Sequence, residues 1–242
     1  MKKAIWESEW HGLKFSDVGV STRIFSRAGR DFYDGLYYEL FARYDSLESL
    51  PDDWRKQKLE VAAEIRKLYA DSNSILSIGC GLGIIEKALC NDQAILNFDV
   101  FDSSQLALRW IKDEIKIKAL SDLKGPSRYD FLFCVQLCYA MTDQELLTFA
   151  KVVRSKLNEG GLFLTVDSSS IPAENGLSSR PDSASKIFFR LARDIVAPGR
   201  KSQFWGWLRD NEGLAKNFTS SGLVLENRFF AVGQSFQLFR AC

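Results

Sequence analysis

The segment Ser74 to Leu89, SILSIGCGLGIIEKAL, places Gly79, Gly81 and Gly83 between an apolar run and an amphipathic stretch. Without Cβ atoms, glycines let the backbone approach a ligand closely, and a helix opening behind them offers unpaired N–H groups. Such a turn suits a nucleotide-like ligand. A dinucleotide fingerprint would put its third glycine three positions after the second, and that position is Ile84. The Gly-x-Gly-x-Gly spacing therefore argues against a dehydrogenase and for another cofactor. About twenty residues on, Ala94 to Val100 reads as a second apolar strand ending in Phe101-Asp102-Ser103-Ser104, where an acid can hold ribose hydroxyls.

Other groups capable of chemistry are sparse. The only histidine, His11, lies in Trp6-Glu7-Ser8-Glu9-Trp10-His11-Gly12, ahead of the core, and reads either as a surface residue or as a general base. Of five cysteines, Cys80, Cys90, Cys134 and Cys138 lie in or beside apolar elements and read as reduced packing residues. Cys134 and Cys138 make no zinc spacing with a second pair, so no protein-bound metal is expected.

The elements that must position these residues follow from periodicity. From about Arg27 to Ala70 the pattern is helical, with Phe32, Tyr33, Leu36, Tyr37, Leu40, Phe41 and Tyr44 recurring at three and four residue intervals. Leu50-Pro51 breaks it, and a second helix is expected from Asp52 or Asp53 to Leu68 or Tyr69. The middle of the chain alternates. Strands are expected at Ile75 to Ile78, Ile95 to Val100, Ile117 to Leu120, Tyr129 to Val135 and Leu162 to Val166, and helices at Ile84 to Leu89, Gln105 to Glu114 and Asp143 to Leu157. Such alternation implies a mostly parallel sheet with helices on both faces and a ligand beyond the carboxyl ends of its strands. Gly79 to Gly83, Asp102 and Gln136 to Tyr139 all fall at that edge.

The polar stretch Asp167 to Ser185 is long enough to read as a lid or substrate loop, or as a plain surface loop. Helices are then expected near Ala184 to Ile195 and at Asn211 to Ser220, and strands at Leu223 to Val232 and Phe236 to Arg240.

Four segments in order carry a family resemblance. LSIGCGLG and VFDSSQLAL resemble motif I and the acidic loop of the class I S-adenosylmethionine (SAM) dependent methyltransferases. Tyr129 to Asp143, YDFLFCVQLCYAMTD, is similar to the family's fourth strand and the loop bordering the methyl-transfer site, and LNEGG followed by LFLTVDSS to its fifth strand. Together they cover roughly residues 70 to 170 and are far more specific than one glycine-rich turn. The resemblance implies an α/β fold: a three-layer Rossmann-like sandwich with a mostly parallel seven-stranded sheet, an antiparallel C-terminal hairpin and an N-terminal helical flank. Residues 1–70 would form the flank or lid and 71–242 the methyltransferase domain, with a substrate-recognition insert at about 167–210.

It also implies S-adenosyl-L-methionine as cofactor, S-adenosyl-L-homocysteine (SAH) as product, and no metal. Ser77, Gly79, Cys80, Gly81, Gly83, Asp102, Ser103 and Gln136 are then the cofactor-binding candidates. One position departs from the pattern. The family usually carries an acid two positions before the first glycine, where this chain has Ser77, and that bears on a contact to the amino end of the cofactor. Serine can still donate or accept one hydrogen bond.

Tyr139, just beyond the fourth strand, and His11 are the catalytic candidates; Tyr139 also reads as a packing tyrosine. Helices laid over the cofactor would make Tyr33 and Tyr37 contacts to cofactor or substrate, whereas helical spacing alone reads as core. Arg180, Lys186, Arg190, Arg193, Arg200, Lys201 and Arg209 outnumber Asp182, Asp194 and Asp210 where the family inserts substrate-recognition elements. Arg190, Arg193 and Arg200 would suit a grip on an anionic metabolite, or a solvated helix face. Trp205, in FWGWLR, reads as an anchor for the insert or as a rim of the substrate pocket.

A length of 242 residues suits one α/β domain with additions. A net charge of +1 gives no electrostatic reason to expect binding to DNA, RNA or an anionic membrane. Met1 to Glu7 is too short an apolar stretch for a signal peptide, and no run approaches membrane-spanning length. The expectation is a cytoplasmic monomer or homodimer that methylates an oxygen or nitrogen of a small metabolite, an anionic one if the basic series grips substrate. The alternatives are a protein or RNA substrate, or a non-catalytic SAM-binding relative. Against RNA, the loop where an Asn-Pro-Pro-Tyr-like amine-binding tetrad would stand reads Val135-Gln136-Leu137-Cys138.

Overall fold

The computed structural model describes residues 2–7, 9–15, 18, 29–69, 72–90, 97–112, 117–168 and 203–242. The chain starts with strand β1 (Lys2–Glu7) and the short hairpin β2 (Glu9–Trp10) and β3 (Leu13–Lys14), followed by helices α1 (Arg30–Arg43) and α2 (Asp52–Arg66). Strands and helices then alternate: β4 (Ser74–Ile78), α3 (Ile84–Cys90), β5 (Asn97–Phe101), β6 (Ile117–Ala119), β7 (Tyr129–Val135), α4 (Asp143–Lys156) and β8 (Leu157–Asp167). Strand β9 (Gln203–Arg209), helix α5 (Asn211–Thr219) and the hairpin β10 (Leu223–Ala231) and β11 (Gln234–Ala241) close the chain.

Seven strands form one sheet in the order β10-β11-β8-β7-β4-β5-β6. Strands β4 to β8 pair in parallel, and β11 runs antiparallel to both of its neighbours. Successive strand residues face opposite ways, which splits the core in two. On one face Ile75, Val100, Phe131 and Phe133 pack with Val61 and Ile65 of α2 and Ile85 and Leu89 of α3. On the other, Leu76, Ile78, Leu132 and Phe163 pack with Leu146 and Val153 of α4 and Leu214 and Phe218 of α5. This three-layer arrangement, with its antiparallel C-terminal hairpin, is the fold the sequence implies.

Local chemistry sets the helix starts. Thr142 caps α4 through a reciprocal box with Glu145, its hydroxyl accepting from the Glu145 N–H at 3.2 Å. Asp210 caps α5 by accepting from the Gly213 N–H at 2.7 Å. Pro51 precedes α2, whose first turn carries Asp52 and Asp53.

Two expectations are corrected. The helix expected over Gln105 to Glu114 is only a 3₁₀ turn at Ala107–Trp110 among the described residues, because the backbone ahead of it bonds locally to side chains. Asp102 Oδ1 accepts from the Ser104 N–H at 2.9 Å, and Ser104 Oγ from the Ala107 N–H at 3.4 Å. Residues 2–14 add strands ahead of the two helices of the N-terminal flank. Strand β1 pairs antiparallel with β9, from the far side of the stretch read as an insert, in a separate two-stranded sheet. Residues 169–202 of that stretch, including the helix expected near Ala184 to Ile195, lie outside the described residues. Among the described residues no helix is long and apolar enough to cross a membrane.

Candidate functional site

Beyond the end of β4 the chain makes its glycine turn with Gly79, Gly81 and Gly83 at φ of 73°, 56° and 79°, the left-handed region that side chains rarely adopt. A Cβ on Gly83 would stand 2.3 Å from Ile111 Cγ2, and one on Gly79 2.9 Å from Leu137 Cδ1. The N–H groups of the three glycines are occupied within the chain. Gly79 donates to the Phe101 carbonyl at 2.7 Å, Gly81 to Asp102 Oδ2 at 3.0 Å and Gly83 to the Cys80 carbonyl at 3.1 Å. The turn therefore contributes a close-approach surface more than the free donors its sequence suggests.

Asp102 follows β5 and is buried at 8% exposure. Burial pushes its pKa above the ordinary carboxylate value, against the hydrogen bonds it accepts from the Ser104 and Gly81 N–H groups. The hydroxyl of Ser104 bonds in turn to Asp34, which docks α1 onto the acidic loop. Gln136, at the end of β7, has a φ of 52°; its N–H donates to the Val166 carbonyl at 2.7 Å and its side-chain oxygen accepts from Lys58 Nζ at 3.2 Å.

A cavity of about 560 Å³ opens over these residues. Gly79, Cys80, Gly81, Gly83, Asp102, Ser103 and Gln136 line it, with the Tyr37 hydroxyl 3.4 Å from where a Cβ on Gly81 would stand. The aromatic residues Trp10, Tyr33, Trp54, Tyr139 and Trp205 line it as well. Trp205 of β9 stacks on Phe15 at 5.1 Å and on Tyr139 at 6.0 Å, with interplanar angles of 16° and 19°. Strand β9 lies this close because of Gly206, whose Cβ would stand 2.3 Å from the Tyr139 carbonyl oxygen. The buried Arg209 then fixes β9 to the start of α4, donating to the Cys138 carbonyl at 3.0 Å, the Met141 carbonyl at 2.6 Å and Asp143 Oδ1 at 2.8 Å.

Burial also sets the protonation of the wall. The phenols of Tyr37 and Tyr139 are pushed well above their ordinary pKa by burial, with Tyr33 and nearby carboxylates adding to the effect. Both remain protonated at neutral pH and can donate hydrogen bonds.

Two charged residues that the sequence reading left out stand beside the glycine turn. Glu86 of α3 is 2% exposed, and burial raises its pKa to about 7. Lys58 of α2 is lowered by burial to about 8. Glu86 occupies the first turn of α3 beside Ile84 and Ile85, where an acid is ordinary on any helix. Lys58 reads as one more cation on a helix face, and no local pattern marks it. Trp10 and Trp54 were likewise unassigned.

The remaining candidates are placed as follows. Ser77 sits behind the cavity at 1% exposure, its hydroxyl donating to Glu86 Oε1 at 2.6 Å. His11 stacks on Trp54 at 4.0 Å with an interplanar angle of 11° and is not among the lining residues; burial lowers its pKa, which favours the neutral imidazole. Arg190, Arg193 and Arg200 lie outside the described residues. Arg209, the last of the basic series, is committed to the structural clamp on α4. Among the described residues, no group of three or more His, Cys, Asp or Glu is placed to hold a metal ion.

Solved structures share this architecture. PigF, solved with SAH, matches with a TM-score of 0.59 at 13% identity, over 88% of this chain and 59% of that one. An S-adenosylmethionine-dependent methyltransferase from Clostridium acetobutylicum matches with a TM-score of 0.55 at 14% identity, over 85% of this chain and 98% of that one. Magnesium protoporphyrin IX methyltransferase from Synechocystis PCC 6803 with bound SAH gives 0.59 at 12% identity, over 88% and 97%. This chain thus spans 59% of the length of PigF and nearly all of the other two. The fold is that of the class I SAM-dependent methyltransferases. No family model matches the sequence, and no curated protein sequence matches it.

Proposed function

We propose that this chain binds SAM between the glycine turn and the aromatic wall and transfers its methyl group to an oxygen or nitrogen of a small molecule. The observation that carries the reading is the join of Asp102 to the Gly81 N–H in the lining of a cavity of about 560 Å³, beyond the carboxyl ends of the paired strands β4 and β5. The neighbours solved with SAH support the same ligand.

Bound there, SAM would supply a methyl group on a positively charged sulfur, open to in-line displacement. The chain's work is then to align two partners and exclude water. Asp102 keeps acceptor capacity for ribose hydroxyls beyond the two N–H bonds it already accepts. The faces of Tyr33 and Tyr37 suit a neighbouring cation. Tyr139, whose hydroxyl is hydrogen-bonded to Tyr33, can orient the acceptor with its ring and with the remaining acceptor capacity of its hydroxyl. His11 stacks on the lining residue Trp54 and is not itself among the lining residues, so an acceptor that reacts without a base in contact is the better fit.

The aromatic wall suits a planar, largely apolar acceptor with one reactive oxygen or nitrogen. Lys58 is the one basic residue among the described lining. The anionic-acceptor reading therefore rests on Arg190, Arg193 and Arg200.

Calorimetric titration with SAM and with SAH tests the cofactor. Micromolar binding to the wild type, abolished by Asp102→Ala and by Gly81→Val, is the expected result. No binding of either ligand to well-folded wild type would overturn the proposal. Methyl transfer from SAM to a panel of planar phenols, amines and carboxylates then separates the acceptor classes.

A further inference from the structure

Glu86 has one carboxylate oxygen held and one left over. Oε1 accepts from Ser77, while Oε2 is buried without a hydrogen-bond partner. A buried carboxylate in that state is costly unless a cation meets it. Glu86 lines the cavity beside the glycine turn, so a ligand in the cavity can supply the cation. SAM and SAH share one group of that kind, the ammonium of their amino-acid end. The sulfonium has no N–H or O–H to donate, and SAH lacks it.

The chain also has no acid at position 77, at the end of β4. In its place a serine hydroxyl reaches across to a carboxylate delivered from α3. We propose that Glu86, oriented by Ser77, is the residue that binds the ammonium group of the cofactor's amino-acid end. The proposal rests on the SAM reading of this cavity and assigns the anchor that the sequence leaves missing.

The groups facing Glu86 fit that role. Lys58 from α2 is its positive neighbour, and Asp102, from the loop after β5, its negative one. The thiol of Cys80, held neutral by burial and by the Glu86 and Asp102 charges, adds no charge of its own. An incoming ammonium finds Glu86 only partly balanced by Lys58, whose Nζ donates to Gln136. With its pKa at about 7, Glu86 charges as pH rises through neutrality, and the affinity for the ammonium end should rise with it.

The test is calorimetry with SAH and with its desamino analogue, identical but for the missing ammonium group, at pH 8. Wild type should prefer SAH by about tenfold or more, the worth of a charge-assisted hydrogen bond. Glu86→Gln should lose about that factor for SAH and bind the desamino analogue within about twofold of wild type, so that the preference collapses. Between pH 8 and pH 6 wild type should lose affinity for SAH while Glu86→Gln stays flat. Ser77→Ala, which frees Glu86 without removing it, should weaken SAH selectively by a smaller factor and provides the test should Glu86→Gln not fold.

Equal weakening of both ligands in either variant, or a preference for SAH that survives Glu86→Gln, would overturn the assignment to Glu86. Wild type that binds neither ligand would instead remove the SAM reading itself.

Discussion

The two walls of the cavity are built by opposite means. The cofactor side is local: β4, the glycine turn, α3 and the Asp102 loop lie within about thirty residues of one another and are joined by backbone hydrogen bonds and buried carboxylates. The aromatic side is assembled from a distance, with β1 paired to β9 and the rings of Phe15, Phe32 and Trp205 meeting above the cavity. One side fixes geometry by leaving no alternative backbone path. The other fixes it by stacking rings, an arrangement with more tolerance for change. On the proposed reading the site has use for both, since SAM demands one fixed geometry and an acceptor must enter and leave.

The comparison is broken most directly at its glycines. Gly83→Ala is expected to cost about 4 kcal/mol or more, combining a left-handed backbone with overlap onto Ile111 in a closed core. Thermal melting should show the loss, and SAH binding should vanish with it. Gly206→Ala meets the Tyr139 carbonyl as closely, yet β9 belongs to a separate two-stranded sheet. It should unseat β9 at about 2 kcal/mol while the seven-stranded sheet keeps its cooperative transition. Equal effects of the two substitutions would erase the distinction between the walls.

The same distinction explains what was legible in the sequence. Glycine spacing, the acid after the second strand and most of the strand–helix alternation are local signals that landed where the fold puts them, the helix expected over Gln105 to Glu114 being the exception. Helix α1 was also legible, because Phe32, Leu36, Tyr37 and Leu40 repeat on one face, and α2 because Pro51 and the acids Asp52 and Asp53 mark its start. The β1–β9 pairing was not, because about two hundred residues separate partners whose short strands carry no period of their own. Glu86 escaped for another reason. An acid in a first helical turn is ordinary, and only the buried hydroxyl of Ser77 across from it shows that this one faces inward.

Trp205→Ala sharpens the contrast on the other wall. Removing a ring stacked on Phe15 and Tyr139 should cost about 2–3 kcal/mol and widen the acceptor end of the cavity. Calorimetry should find SAH affinity within about threefold of wild type, while KM for any acceptor found rises by tenfold or more. A parallel loss of SAH affinity would mean that the aromatic wall holds cofactor rather than acceptor.

Acid–base behaviour should separate the walls as well. The folded-state pKa of Glu86, about 7, lies above its ordinary value of 4.5. Its contribution to stability is therefore fully present below pH 4.5 and is lost as pH rises to about 7, by up to about 3 kcal/mol. Lys58 acts in the opposite sense at higher pH: its pKa is lowered from 10.5 to about 8, so stability recovers as pH climbs across that interval. Melting of the ligand-free protein should consequently pass through a shallow minimum between pH 7 and pH 8. Glu86→Gln should abolish the acid-side slope. Saturating SAH should shrink it, since the bound ammonium stabilises the ionised carboxylate.

The smallest effect is expected at the seam of β1 and α4. Lys2 Nζ meets Asp143 Oδ2 at 2.8 Å, but Asp143 is 61% exposed and Lys2 34%, so water screens the pair. Arg209 grips the same carboxylate from its buried side and also satisfies two backbone carbonyls. Together Lys2 and Arg209 hold the Asp143 carboxyl below its ordinary pKa. The stability this adds is present above the ordinary carboxylate value and fades only as pH falls through the lowered one. Lys2→Met should therefore cost under about 1 kcal/mol in low salt, and the difference should disappear at high salt. A cost that is larger and indifferent to salt would show that the N-terminal strand is held by its charge rather than by its pairing with β9. The aromatic wall would then depend on one exposed ion pair, contrary to the tolerance argued for it.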